Sequence, residues 1–218
     1  MRRLLLAGLG FLLTGCPNAE TYSPPRTLPP GKMSHAVAFE AYELVSPDDA
    51  WRVPSSPTYV FRRGLVDQVD MGIRAVNMGS FGVDLKYNFV QSDVDLAVDP
   101  GFQFAPFTTS EEDDGVIYTS VDVPLLVGLN VAPELTIQFG GGLSYIYGDG
   151  FDQPVTKAIS DEALFVRGSA GLDLRISQRF AIHPAFSLYH ALDTDEVGVM
   201  MAGCGFRIGG PIYEGLLY

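Results

Sequence analysis

In the stretch "IYTSVDVPLLVGLNV", residues 117–131, side chains divide by parity. Ile117, Val121, Val123, Leu125, Val127, Leu129 and Val131 fall on odd positions with Thr119, while Ser120, Asp122, Gly128 and Asn130 fall on even ones. A period of two is that of a β-strand, whose successive side chains leave on opposite faces. A strand with one apolar face and one polar face has no stability alone, so its pattern requires neighbours of the same kind. The chain supplies them. In "FGVDLKYNFV", Phe81, Val83, Leu85, Tyr87 and Phe89 oppose Gly82, Asp84, Lys86 and Asn88. "LTIQFGGGLSYIY" and "LFVRGSAGLDLRI" repeat the division, and almost no segment carries the 3.6-residue period of a helix.

The alternation predicts an all-β chain with strands near 33–45, 57–65, 68–77, 80–90, 93–104, 116–131, 134–147, 162–176, 179–190 and 196–208. "LVDQ", "QSD", "VAPE" and "SQR" are tight connections, whereas "SPDDAWRVPSSP", "APFTTSEEDDG" and "GDGFDQPVTKAISDEA" are long, and tight and long ones alternate along the chain. Short turns on one rim and longer loops on the other fit a single antiparallel up-and-down β-barrel of about 10 strands, with 8 or 12 also compatible.

Parity also places the charges. Glu40, Asp70, Asp84, Asp95, Asp122 and Asp173 share the polar face with Arg62, Arg74, Lys86, Arg167 and Arg175, and Arg207 falls on the same parity. Acids and bases balance there, so a lumen charge network is expected at these positions. The apolar parity is almost free of charge in the strand middles. The excess acid lies in the loops "SPDD", "SEEDDG", "DGFD" and "DTDE". With a formal net charge of −12 and no basic cluster, the chain is unsuited to nucleic acid, whose binding rests on Lys and Arg neutralising phosphate.

Residues 1–15 combine "MRR", the apolar "LLLAGLGFLL" and a small-residue end, the layout of a secretory signal peptide, and the apolar run is too short to span a bilayer as helix. Leu13, Thr14, Gly15 and Cys16 resemble the lipobox of bacterial lipoproteins. That resemblance implies cleavage before Cys16 and a diacylglycerol on its sulfur, with Pro17 in place of an inner-membrane-retaining Asp. The mature chain would then carry 12 basic and 26 acidic side chains and no disulfide, since Cys204 is the second of 2 cysteines. Residues 16–32 hold prolines at 17, 24, 25, 29 and 30, a composition that predicts an extended tether. The barrel domain is expected over 33–218.

Period two does not say whether the apolar face meets lipid or encloses a cavity. A tethered, lipocalin-like barrel with an apolar ligand inside therefore stands beside a membrane-spanning barrel. The scarcity of lysine, the glycines on the polar parity (Gly72, Gly82, Gly128, Gly140, Gly142, Gly171) and aromatics toward the strand ends (Phe81, Phe104, Tyr87, Phe89, Tyr145, Tyr147) favour the second. At "RRGLVDQVDMGIRAV" (62–76) and "RTLPPGK" (26–32) the chain resembles small bacterial outer-membrane β-barrel proteins, over about residues 33–208. The resemblance implies residence in the outer membrane of a Gram-negative bacterium, in contact with bilayer lipid. The C-terminal Tyr218 is aromatic, as in many such barrels, although "GGPIYEGLLY" does not alternate as their last strand does.

Catalytic patterns are sparse. His183 and Ser187 share parity but stand four residues apart, about 13 Å along a strand, and Ser34 and His35 face opposite ways. "DDG" and "DTDE" lack the spacing of a calcium loop, and "GGG" at 140–142 precedes no helix that would make a phosphate cradle. No cofactor or metal is expected. The expectation is a non-catalytic outer-membrane barrel with a structural, surface or narrow-permeability role and a largely filled lumen. A tethered apolar-ligand barrel is the alternative, and an outer-membrane lipid hydrolase stands third.

Overall fold

Strands with one apolar face and unpaired backbone groups along both edges reach a stable arrangement by pairing side by side until no edge is left. The structure, a computed structural model, describes residues 22–45, 50–76, 80–108, 115–149, 162–192 and 198–211, and all regular structure among them is strand. The strands are β1 (Met33–Val45), β2 (Ala50–Val66), β3 (Val69–Val76), β4 (Ser80–Val90), β5 (Val94–Val98), β6 (Gly101–Thr108), β7 (Gly115–Ala132), β8 (Leu135–Asp149), β9 (Glu162–Ser177), β10 (Phe180–Ala191) and β11 (Gly198–Ile208). Apart from β5 and β6, neighbours in sequence pair antiparallel, β1 pairs with β11, and β3 pairs with β4, so the ring closes.

The eleven segments make ten staves. β4 pairs with both β5, at Tyr87↔Val98, and β6, at Phe81↔Phe104, and β7 likewise takes Val98 opposite Leu125 and Gly101 opposite Asp122. The expected strand 93–104 is thus interrupted at Asp99 and Pro100. Proline has no N–H for the ladder, and the gap is bridged by Leu85 N–H donating to the Pro100 carbonyl (3.0 Å) and Asp99 N–H to that of Pro124 (3.1 Å). A second difference lies at β2, which begins at Ala50. Part of "SPDDAWRVPSSP" is therefore strand, because Leu44↔Trp51 and Tyr42↔Val53 continue the β1 ladder beyond a register shift between Glu40 and Tyr42.

Closure decides the question of faces. Phe39, Phe81, Val123, Phe139, Leu143, Phe186 and Leu188 stand exposed on the outer wall, Phe39 and Val123 at 50% and 52%. Glu40, Arg62, Lys86, Asp95 and Asp173 on the opposite parity are each 1% exposed or less. Apolar side chains therefore point out and charges point in. The apolar cavity of a lipocalin-like barrel is overturned for the described residues, since the positions that would line it carry Asp, Arg, Ser and Gln.

Tight turns at 67–68, 91–93, 133–134 and 178–179 share one rim with the start of β1 and the end of β11. Residues 46–49, 77–79, 109–114, 150–161 and 193–197, and with them most of the acidic loop clusters, lie outside the described residues. The β1–β11 seam can be tested by cross-linking. In a Cys204→Ser background, Val37→Cys with Phe206→Cys, whose residues face each other across the seam, should oxidise to an intramolecular disulfide visible as a gel shift. Val37→Cys with Leu188→Cys, one strand further on, should not.

Candidate functional site

The interior of the ring is the site, and its chemistry follows from burying ions. A charge removed from water needs an opposite charge and hydrogen bonds close at hand. On the tight-turn half of the wall, β2, β3 and β4 place Arg62 among three carboxylates: Asp70 and Asp84 at 2.6 Å each and Asp99 at 3.4 Å. Lys86 lies 3.5 Å from Asp70, and Arg74 lies 3.7 Å from Asp84. Asp84 needs room for both cations, and Gly72 on β3 provides it, since a Cβ there would overlap the Asp84 carboxylate.

A second cluster lies on β9, β10 and β11. Asp173 pairs with Arg175 at 2.8 Å and Arg207 at 3.0 Å, with His183 at 3.6 Å. Arg175 also donates to Thr136 and to the carbonyls of Ala132 and Pro133, which ties it to the β7–β8 turn. Nearer the long-loop rim the network thins. Glu40 accepts from Thr58 (3.1 Å), Asp122 from Ser120 (3.3 Å), and Gln103 donates to Ser80 (2.7 Å). The Arg167 guanidinium lies over the Tyr189 ring, 5.9 Å from its centroid.

The eleven charged positions expected in the lumen, Glu40, Arg62, Asp70, Arg74, Asp84, Lys86, Asp95, Asp122, Arg167, Asp173 and Arg175, are all buried on the inward parity. They divide between the two clusters, save Glu40, Asp122 and Arg167 higher up and Asp95, whose partner comes from elsewhere. Asp99 is the carboxylate that alternation did not reveal, because it sits in the break between β5 and β6. The signal was "VDPG", a turn sequence inside a strand.

The larger difference concerns the proline-rich segment. Its composition predicts an extended tether, yet residues 22–28 are inside the ring, with Tyr22 2% and Leu28 1% exposed. Gly31, at φ +75°, turns the chain into β1, and Gly31 N–H donates to the Gly64 carbonyl (2.9 Å). From there back, Leu28 N–H donates to Asp70 (2.9 Å), Gln91 to Thr27 (3.1 Å), and Arg26 grips Asp95 through Nε and Nη2 at 3.0–3.2 Å. Lys86 donates to the Pro24 carbonyl (2.8 Å) and the Ser23 hydroxyl (3.1 Å). Tyr22 ends in a niche of small residues, Ala36, Ala38 and Val60, beside Gly203 and Gly205, with its ring edge-on to His183 at 5.9 Å. The segment thus crosses the lumen from the Arg62 cluster to the Asp173 cluster. Residues 16–21, with Cys16, lie outside the described residues.

Among the described residues, His183 and Ser187 are not brought together, nor are Ser34 and His35. His183 faces Gly205 on β11 and Ser187 faces Met201, four residues along β10. His35 bonds Tyr59 on the outer wall (2.6 Å), while Ser34 is turned inward. Cys204 is half-buried on the outward parity.

Two substitutions follow. Asp173→Asn leaves the Arg175 and Arg207 guanidinium groups without their carboxylate and should lower stability by about 3–5 kcal/mol. Gly72→Ala, which must displace the Asp84 carboxylate, should cost about 1–3 kcal/mol. Both are read from the midpoint of thermal unfolding in detergent micelles, against His35→Ala on the outer wall, which should move it little.

No protein-family model and no curated protein sequence matches the chain at a significant level. Solved structures do match in shape. The outer membrane enzyme PagL is 13% identical with TM-score 0.39, covering 79% of this chain and 99% of its own. Neisserial surface protein A is 10% identical with TM-score 0.41, covering 81% and 96%. An outer membrane channel from Pseudomonas putida F1 is 10% identical with TM-score 0.46, covering 89% and 99%. An enzyme, a surface protein and a channel stand side by side in this comparison, and the chain is similar to each at that distance.

Proposed function

We propose that this protein spans the outer membrane of a Gram-negative bacterium as a closed β-barrel without catalytic activity, in a structural or surface role, and that a diacylated Cys16 adds a second hold on the bilayer. One observation carries the reading: the wall is apolar and exposed outside, charged and paired inside. In water that arrangement would leave a continuous belt of Phe, Leu, Val and Tyr exposed, far beyond the patches soluble monomers tolerate. In a bilayer the same belt meets acyl chains, and closure satisfies the backbone where no water can. Tyr87 and Phe89 toward the tight-turn rim and Phe81, Tyr145 and Tyr147 toward the other supply aromatic side chains at both interfaces. The tight-turn rim would face the periplasm, the side on which barrels of this class carry their short turns.

A closed role rather than an open pore is supported by the lumen contents. The inserted segment crosses the tight-turn half of the lumen between the Arg62 and Asp173 clusters. A lipid hydrolase gains no support from His183 and Ser187, which stand four residues apart on β10. Cys16 lipidation rests on the lipobox-like residues 13–16.

Extraction separates these elements. Cys16→Ala should abolish incorporation of labelled fatty acid yet leave the protein in the membrane fraction after carbonate washing, with heat-modifiable gel migration in detergent. Release of this variant into the soluble fraction would refute the spanning barrel. Val123→Arg, at the middle of β7 on the outer wall, should destabilise the barrel in lipid bilayers by about 2–4 kcal/mol, measured by equilibrium unfolding from vesicles.

A further inference from the structure

A chain segment that fills a lumen it does not help to build has a distinct physical role. The ladder of the barrel closes through β1 to β11 and takes no strand from residues 22–30. The wall nevertheless carries features that serve this segment. Asp95, fully buried, takes Arg26 as its salt-bridge partner, and Lys86, fully buried, donates to Ser23 and Pro24. Gly203, Gly205 and Gly128 lack side chains where Tyr22 and Pro25 lie: a Cβ at Gly205 would come within 2.7–2.8 Å of three Tyr22 atoms, and one at Gly128 within 3.1 Å of the Pro25 ring. The wall is therefore shaped as a receptor for the segment.

The seated state also holds strain. Tyr22 has φ +46°, the non-glycine residue in the left-handed region among the described residues. For an aromatic side chain that conformation is unfavourable, and it persists where the surroundings impose it. Four prolines in nine residues lower the cost of burial, because each removes an N–H that would otherwise need a partner inside. Toward the long-loop rim the buried inward positions include Ser80, Ser120, Ser144 and Ser187 together with Gln103 and Arg167.

We propose that residues 22–30 are an autoinhibitory plug: a strap seated in the tight-turn mouth that keeps the barrel shut, and whose release opens a path for small ions. The inference rests on the membrane-spanning reading above. Removing the strap takes away the partners it gives Lys86, Asp70 and Asp95 and opens the tight-turn half of the lumen to water there. The opening has charge of both signs on its wall, so potassium chloride is the suitable probe.

The experiment compares single-channel currents in planar bilayers bathed in potassium chloride for three proteins. These are the full chain, a variant lacking 22–30, and Pro25→Cys/Gly128→Cys in a Cys204→Ser background, which can lock the strap to β7. The full chain should be closed with rare brief openings, and the deletion should give sustained conductance steps. The locked variant should be silent when oxidised and regain the openings on reduction. Heat-modifiable migration of each protein before reconstitution reports a folded barrel. If the deletion does not fold, the oxidised and reduced forms of the full-length lock decide the matter. Folded, inserted protein whose conductance is the same with and without the strap, or the same locked and reduced, would overturn the plug and leave the spanning barrel intact. A chain that neither inserts nor shows heat-modifiable migration would overturn both.

Discussion

Ring closure is the constraint from which the other features descend. Once β1 pairs with β11, every strand has a neighbour on both sides and the sheet presents no edge. A side chain then has two destinations, decided by parity alone. The apolar set goes out, and whatever remains must share a confined interior. Ten staves enclose little space beyond their own side chains, so each inward charge lies close to another. Arg62 illustrates the result: three carboxylates surround one guanidinium, and two of them are in turn held by Lys86 and Arg74. Pairs of this kind seldom add net stability over apolar packing, but removing one member is costly. Their effect is to make the interior unforgiving of change.

The strand pattern could be read because a closed barrel in a bilayer obeys one simple rule over nearly its whole length. The positions of β1, β4, β9 and β10 follow directly from alternation, and the inward charges follow from parity. Two features broke the rule for physical reasons. Pro100 cannot join a ladder, so the stave of Val94–Val98 and Gly101–Thr108 is interrupted and Asp99 turns toward Arg62. The register shift beyond Glu40 let β2 extend back to Ala50 through prolines and serines that look like loop. In each case local chemistry pointed one way and pairing across strands prevailed.

The inserted segment was illegible for a deeper reason. A proline-rich stretch exposes its backbone to water equally well as a tether or against a wall that supplies donors, and composition does not distinguish the two. Here the donors are Lys86 and Gln91, and the acceptors are Asp70 and Asp95, all far away in sequence. A trace did exist on the wall. Ala36, Ala38, Gly203 and Gly205 are four small inward residues on the first and last strands, and together they leave a hole that nothing on neighbouring strands fills. An unfilled hole in a packed interior implies a missing occupant.

Tyr22 closes that hole from both sides of the seam, touching the strand made first and the strand made last. Its niche does not exist until β11 has arrived beside β1. Tyr22, which precedes every strand in the chain, is therefore among the last residues to find its place, and the order of assembly runs opposite to the order of synthesis at this point. While the seam is open, Tyr22 has nowhere to sit. Once it sits, one aromatic ring rests against both lips of the join, like a pin dropped through a finished hinge.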